Sequence, residues 1–264
     1  MLTVDLLHDT LPTECVNANT IACPELLYFP GISGTGFLAR QGEKVFYFTA
    51  MHCLRAGPAV PKPQLPTLMV PIRHTGKTSA PEDFLSFASV HTIEQYLDGE
   101  WYDTVDVIAC EVELPQVGAD RNHILGRCAY LPPNGAWLED FLASEDGQRQ
   151  LRTGELSAVA IGFSRASSNN SVDYDSPDAD AVISTEAVVL PCLVSQSLQP
   201  SCIAIWPLAP EVSCSGFSGA PVFARVEAYG QSRYALLGIV ITGSKTHLNV
   251  LRLTALTEAA LGDA

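Results

Sequence analysis

Apolar residues fall along this chain in short runs broken by polar turns. Between Gly34 and Ala50, two such runs flank Arg40-Gln-Gly-Glu43, which predicts a β-hairpin ending just before His52. A proline-rich stretch follows from Pro58 to Pro71. Its fixed φ angles and missing amide donors predict a surface loop. From Thr104 to Val112 the run is β-branched and mostly apolar, the pattern of a strand covered on both faces, and it contains Asp106. A less regular region from Leu131 to Leu151 reads as a connection between two halves. Strand-like runs then recur at 157–163, 181–190, 202–206, 220–226 and 234–241. Val250, Leu253, Leu256 and Ala260 fall at helical spacing and predict a short amphipathic C-terminal helix. The pattern predicts an all-β chain of barrels or a sandwich, divided into units at 1–135 and 136–264.

At 264 residues the chain buries a core without staples. Its 19 glycines and 18 prolines fit a turn-rich fold. The net charge of −14 repels phosphate backbones and anionic head groups, which argues against nucleic acid and membrane partners. No apolar run reaches the roughly 20 residues of a membrane helix, and the first residues carry no export signal, so a cytoplasmic protein is expected. The eight cysteines show no CxxC pairing and read as reduced. Asp173, Asp175, Asp178 and Asp180 cluster in a polar segment without the glycine and glutamate of a calcium loop, so no metal is assigned there.

Three segments carry candidate chemistry. Gly216-Phe-Ser218-Gly-Ala-Pro sets a serine between glycines, where the backbone turns sharply. Thr49-Ala-Met-His52-Cys ends an apolar strand in an imidazole, whose ordinary pKa of about 6.5 suits proton transfer. Asp106 places a carboxylate inside an apolar strand, which is costly unless a donor meets it. Such a carboxylate can fix a histidine's tautomer and stabilise its charged form. Asp103 is the rival and sits nearer the polar turn at Asp98-Gly-Glu.

Taken together these segments resemble the trypsin and chymotrypsin superfamily of serine peptidases. His52, Asp106 and Ser218 occur in that family's order. Thr-Ala-Met-His-Cys, Asp-Val-Ile-Ala-Cys-Glu-Val, Ser-Cys-Ser-Gly-Phe-Ser-Gly-Ala-Pro-Val and Leu237-Gly-Ile-Val-Ile-Thr-Gly243 are similar to its motifs. The resemblance runs from about Gly34 to the final helix. It implies two six-stranded antiparallel β-barrels with a short C-terminal helix, a cleft between the barrels, and a triad of His52, Asp106 and Ser218. It also implies an oxyanion hole from the amides of Gly216 and Ser218, a protein or peptide substrate, and no cofactor or metal.

The departures carry information too. Phe217 stands where secreted relatives have the aspartate that pairs with a new N-terminus, so activation by N-terminal insertion is not expected and order must come from packing or from a regulatory partner. The bridges the family would make from Cys53 and Cys214 find no partner, with Phe37 and its neighbours read opposite Cys53. The resemblance is therefore to the bacterial, intracellular branch. Val212, six residues before Ser218, gives a bound cation no counter-charge, so an apolar or small residue is expected at the cleavage position, in a pocket whose shape Thr242, Gly243 and the short loop to His247 also set. One alternative is an inactive relative that binds peptides in the same cleft. Another, an α/β-hydrolase, fits poorly because Ala220 replaces the last glycine of its elbow and the downstream pattern is β-rich.

Overall fold

Period-two burial organises the first half of the molecule. In β3 (Lys44–Ala50) every residue after Lys44 is buried. Phe46 and Phe48 enter one apolar cluster, whereas Val45 and Tyr47 enter another. The same alternation runs through β2 (Gly31–Gln41), with Phe37 and Ala39 on one face and Leu38 on the other. It continues in β6 (Trp101–Val112), where Val107 and Ala109 oppose Ile108 and Cys110. Apolar residues on both faces mean that both sides must be covered. The computed structural model of the chain describes residues 4–21, 31–54, 68–73, 83–97, 101–133, 137–153, 156–167, 169–173, 180–184, 186–197, 199, 201–209, 211–228, 230–244 and 246–261.

These strands belong to a seven-stranded sheet with β1 (Val16–Ile21), β4 (Leu68–Met69), β5 (Phe87–Leu97) and β7 (Ala129–Tyr130), in the order β4-β1-β2-β3-β6-β5. β7 pairs with β2 in parallel. The second half is a closed antiparallel barrel of β8 (Ser157–Phe163), β11 (Ala187–Gln196), β12 (Cys202–Pro207), β13 (Pro221–Ala228), β14 (Gln231–Gly243) and β15 (Leu248–Arg252). The architecture is mostly β and compatible with a chymotrypsin-like arrangement, and among the described residues the second sheet alone forms a closed barrel. Just beyond β4 and just before β5, the first sheet's ends meet at an isolated bridge, Pro71 to Phe84, flanked by Ile72 N to Asp83 O and Leu85 N to Val70 O, each 2.8 Å. Pro71 has no amide to extend that ladder.

One apolar cluster runs from the sheet face carrying Phe37, Phe46 and Phe48 into the barrel residues Leu237, Ile239 and Phe217. Helix α4 (Leu253–Leu261) caps it, burying Leu253, Leu256, Ala259 and Ala260 and packing against β5, β6 and β14. Another charge is buried on the way: the Arg127 guanidinium bonds the carbonyls of Glu14 and Ile72 and the side chain of Asn17. A guanidinium's several donors suit it to such a junction.

Several expectations need correction. Residues 58–67 of the proline-rich stretch lie outside the described residues, but Leu68 and Met69 form β4 and Val70 is buried. The connection at 131–151 runs through α2 (Trp137–Ala143) and into α3 (Glu145–Thr153), and α1 (Ala119–Gly126) precedes it; helices of only seven to nine residues are too short for a helical period to be read from the pattern. The run at 181–190 is divided between β10 (Asp180–Ser184) and β11, and β9 (Asn169–Asp173) pairs with β10 in register Asp173 to Asp180. Asp175 and Asp178 lie outside the described residues. The C-terminal helix begins at Leu253, because Val250 is paired in β15 with Ile203 and Val240.

Candidate functional site

His52 and Asp106 are brought together by strand register. β3 pairs antiparallel with β6 up to Ala50 opposite Val107, so the next turn, Met51–Leu54, starts beside Asp106. The β5 to β6 ladder shifts register between Thr92 and Ile93, facing Ile108 and Val105, which skips Asp106 and Val107. Such bulges re-aim side chains next to functional sites. The His52 backbone amide donates to Asp106 Oδ1 at 2.8 Å, and the ring Nδ1 bonds Asp106 Oδ2. One carboxylate thus holds both the backbone and the ring. Asp103 lies farther along β6, beyond the last β3 pairing and opposite Gln95.

Ser218 sits on the turn between β12 and β13. Gly216 and Gly219 adopt φ of 98° and 85°, conformations that favour glycine. A Cβ on Gly216 would lie 2.3 Å from Phe163 O, and one on Gly219 would lie 1.9 Å from Thr35 O. The turn is locked to both halves of the molecule. Gly219 N donates to Val240 O of the barrel, and Ser218 O accepts from Thr35 N of β2, both at 2.8 Å. Thr35 is fully buried; its hydroxyl donates to Gly216 O at 2.8 Å and accepts from Phe163 N at 3.0 Å. These bonds orient the turn carbonyls inward. Among the described residues, neither the Gly216 nor the Ser218 amide donates to another group.

His52, Val212, Gly216, Ser218, Thr242 and Gly243 all line one open cleft of about 520 Å³. Asp106 stands behind His52. Val212 is partly buried and packs on the core, while Thr242 and Gly243 are exposed. Phe217 is fully buried in the shared core, close to Gly162. Arg165, Glu211, Ser213, Ser215 and Ser244 also line the cleft and Thr35 positions it, although no motif in the sequence assigns them to the site. Glu211 adjoins Val212 and was within reach of the motif. The local signal at Thr35 is its pair of flanking glycines, Gly34 and Gly36.

The hydrogen bond to Asp106, with a smaller contribution from Cys53, raises the His52 pKa from 6.5 to about 10, against burial, which pulls it down. Cys53 lies beneath the serine turn, its Sγ 3.7 Å from Ser218 O. The residue facing it is Gly34, not Phe37: a Cβ on Gly34 would lie 2.3 Å from Cys53 Sγ, whereas Phe37 points into the shared core. None of the seven described cysteines is in a disulfide. His8 stacks on Tyr130 at 4.3 Å and exchanges backbone bonds with Tyr234. Among the described residues no group of three or more His, Cys, Asp or Glu side chains is arranged to hold a metal ion, and no helix is long and apolar enough to cross a membrane.

Fold and site together define a β-barrel protein with a histidine–carboxylate pair and a glycine-flanked serine facing one cleft. No protein-family model matches the chain, and comparison with curated proteins yields no match either.

Proposed function

We propose that the protein is a serine endopeptidase of the trypsin-like kind, with His52, Asp106 and Ser218 as its triad. The observation that carries this reading is the His52–Asp106 pair and the Ser218 turn lining or backing the same cleft. Asp106 keeps the proton on His52 Nδ1, which leaves Nε2 as the base once the ring is neutral. Ser218 Oγ attacks the substrate carbonyl and its proton passes to Nε2. The carbonyl's electron pair collects on the oxygen, where the Gly216 and Ser218 amides stabilise it. The C–N bond then breaks as His52 protonates the leaving amine, and water releases the acyl group by the reverse sequence. With Phe217 buried beneath the turn in place of an acid, packing rather than an N-terminal ion pair supports this loop.

Ser218 Oγ makes no hydrogen bond to His52 among the described residues, and His52 is held protonated at rest. That observation favours, as a second reading, a latent cleft that binds peptide and reacts only when substrate or a regulatory partner aligns the serine. Catalytic bonds often tighten only in the substrate complex, so the peptidase reading stands first. The test is labelling with a fluorophosphonate. Wild type is expected to be labelled at Ser218 and the Ser218→Ala and His52→Ala variants are not; a folded wild type that stays unlabelled would sink the proposal.

A further inference from the structure

Three elements converge on the peptide unit that follows Ser218. Thr35 N of β2 donates to Ser218 O at 2.8 Å, and Cys53 Sγ, from the turn that carries His52, donates to the same oxygen at 3.7 Å. At the other end of that unit Gly219 N donates to Val240 O of β14, also at 2.8 Å. A peptide unit is planar, so bonds at both its oxygen and its nitrogen fix its rotation. The carbonyl oxygen has two lone pairs; the Thr35 amide takes one and the thiol, a weaker donor, reaches the other.

Gly34 leaves room for the sulfur. A Cβ on Gly34 would lie 2.3 Å from Cys53 Sγ and 3.2 Å from Cys53 Cβ, so any side chain there would displace the thiol. Gly34 and Cys53 are both buried, and water does not compete for the thiol at that depth. The same thiol hydrogen-bonds with the His52 ring and, after Asp106, raises its pKa. Cys53 therefore touches the histidine on one side and the carbonyl of Ser218 on the other. Arg165 and Glu211 are the other charged side chains lining the cleft with His52, and neither is a cause of its raised pKa.

We propose that Cys53 is a positioning residue: through its S–H bond to Ser218 O and its contact with the His52 ring, one side chain seats the serine turn against the base. That the turn seats a nucleophile rests on the peptidase reading above, whereas the link between Cys53 and the His52 ring does not. The rival role for a buried cysteine is to fill space. The two roles differ in whether a methyl group of similar bulk can replace the thiol.

Three variants separate them. Cys53→Ala removes the sulfur, Cys53→Ser keeps a donor and an acceptor, and Gly34→Ala/Cys53→Ala returns a methyl group from the facing strand without the S–H. In each, the His52 ring is titrated by NMR and the rate of fluorophosphonate labelling is followed against pH. Cys53→Ala is expected to lower the His52 pKa, and with it the acid limb of labelling, by about half to one pH unit, the scale of one hydrogen bond. Its plateau labelling is expected to slow by about three- to tenfold. Cys53→Ser is expected to return both values towards wild type. The swapped pair is expected to regain the Tm lost in Cys53→Ala and to keep the lowered His52 pKa. An unchanged His52 pKa in Cys53→Ala, or a swapped pair that matches wild type in pKa and labelling, overturns the proposal. A His52 pKa that follows Cys53 in a folded protein that fluorophosphonate never labels supports the Cys53 link and overturns the peptidase reading alone.

Discussion

Replacing Gly219 by alanine, set against the same change at Gly230, isolates the packing that holds the serine turn. Both residues have positive φ, 85° and 74°. An L residue there costs about 1–2 kcal/mol, and alanine recovers roughly 0.4–1 kcal/mol by narrowing the unfolded ensemble. Those two contributions cancel in the comparison. What remains is space: nothing lies within 4 Å of a Cβ on Gly230, whereas one on Gly219 falls 1.9 Å from Thr35 O, 2.8 Å from Thr49 Oγ1 and 3.0 Å from Ala50 N. Thr35 O cannot swing away, because it is backbone and accepts the Thr49 hydroxyl at 2.8 Å. Forcing an atom into such a site costs about 1–3 kcal/mol, so Gly219→Ala is expected to lie below Gly230→Ala by that amount, or roughly 2–4 °C in Tm for each kcal/mol. Urea unfolding followed by fluorescence and circular dichroism gives the difference, with a constant m-value confirming that stability alone has changed. Because the strain falls between Ser218 and the strand bearing Thr35, fluorophosphonate labelling should also slow by about 10²-fold. Equal stability of the two variants, or a Gly219→Ala protein labelled at the wild-type rate, would refute the steric argument.

Other expectations follow from the same contacts. Thr35→Val keeps the shape but strips partners from Gly216 O and Phe163 N, and should cost about 1–3 kcal/mol in urea unfolding and slow Ser218 labelling. Since His52 must be neutral to accept a proton and is held up at about 10 by Asp106 first and Cys53 second, labelling should rise with pH on an acid limb lying well above 6.5; Asp106→Asn should move that limb down towards 6.5 and cut the plateau by roughly 10⁴-fold. The same raised pKa means that the His52 contribution to stability is full below about 6.5 and is lost as pH rises through about 10. His8 behaves oppositely: burial, then Arg40, lower its pKa to about 4, so stability is present above about 6.5 and drains away as pH falls towards 4. His8→Phe, which keeps a ring against Tyr130, should flatten the acid side of a Tm-against-pH curve, and an unchanged slope would remove His8 from the account.

Much of the site was legible in the chain because its signals are local. The turn at Gly216–Gly219 needs residues that tolerate positive φ, and glycines at its ends announce it. Asp106 was conspicuous because an acid inside an apolar strand demands a donor, and the strand's own pattern separated it from Asp103. The barrel strands were visible through β-branched runs. The helices at 119–126, 137–143 and 145–153 were not, since seven to nine residues are too few to establish a helical period, and the end of β15 was hidden because Val250 serves a strand and a helical spacing equally well.

Local patterning therefore determined which residues could do chemistry: a serine on a glycine turn, a histidine at a strand end, a carboxylate in an apolar strand. Tertiary structure decided which of them meet. The β3–β6 register sets Asp106 against His52, and Thr35 ties the Ser218 turn to the opposite half through bonds spanning well over a hundred residues. Only the folded chain shows that the ends of the first sheet meet at Pro71 and Phe84, that Gly34 rather than Phe37 faces Cys53, and that Glu211 shares a cleft with Ser218. The physical reason is common to all of these. Propensity and periodicity act over a few residues, whereas register, steric exclusion and the charge of a cavity arise between segments that sequence distance keeps apart.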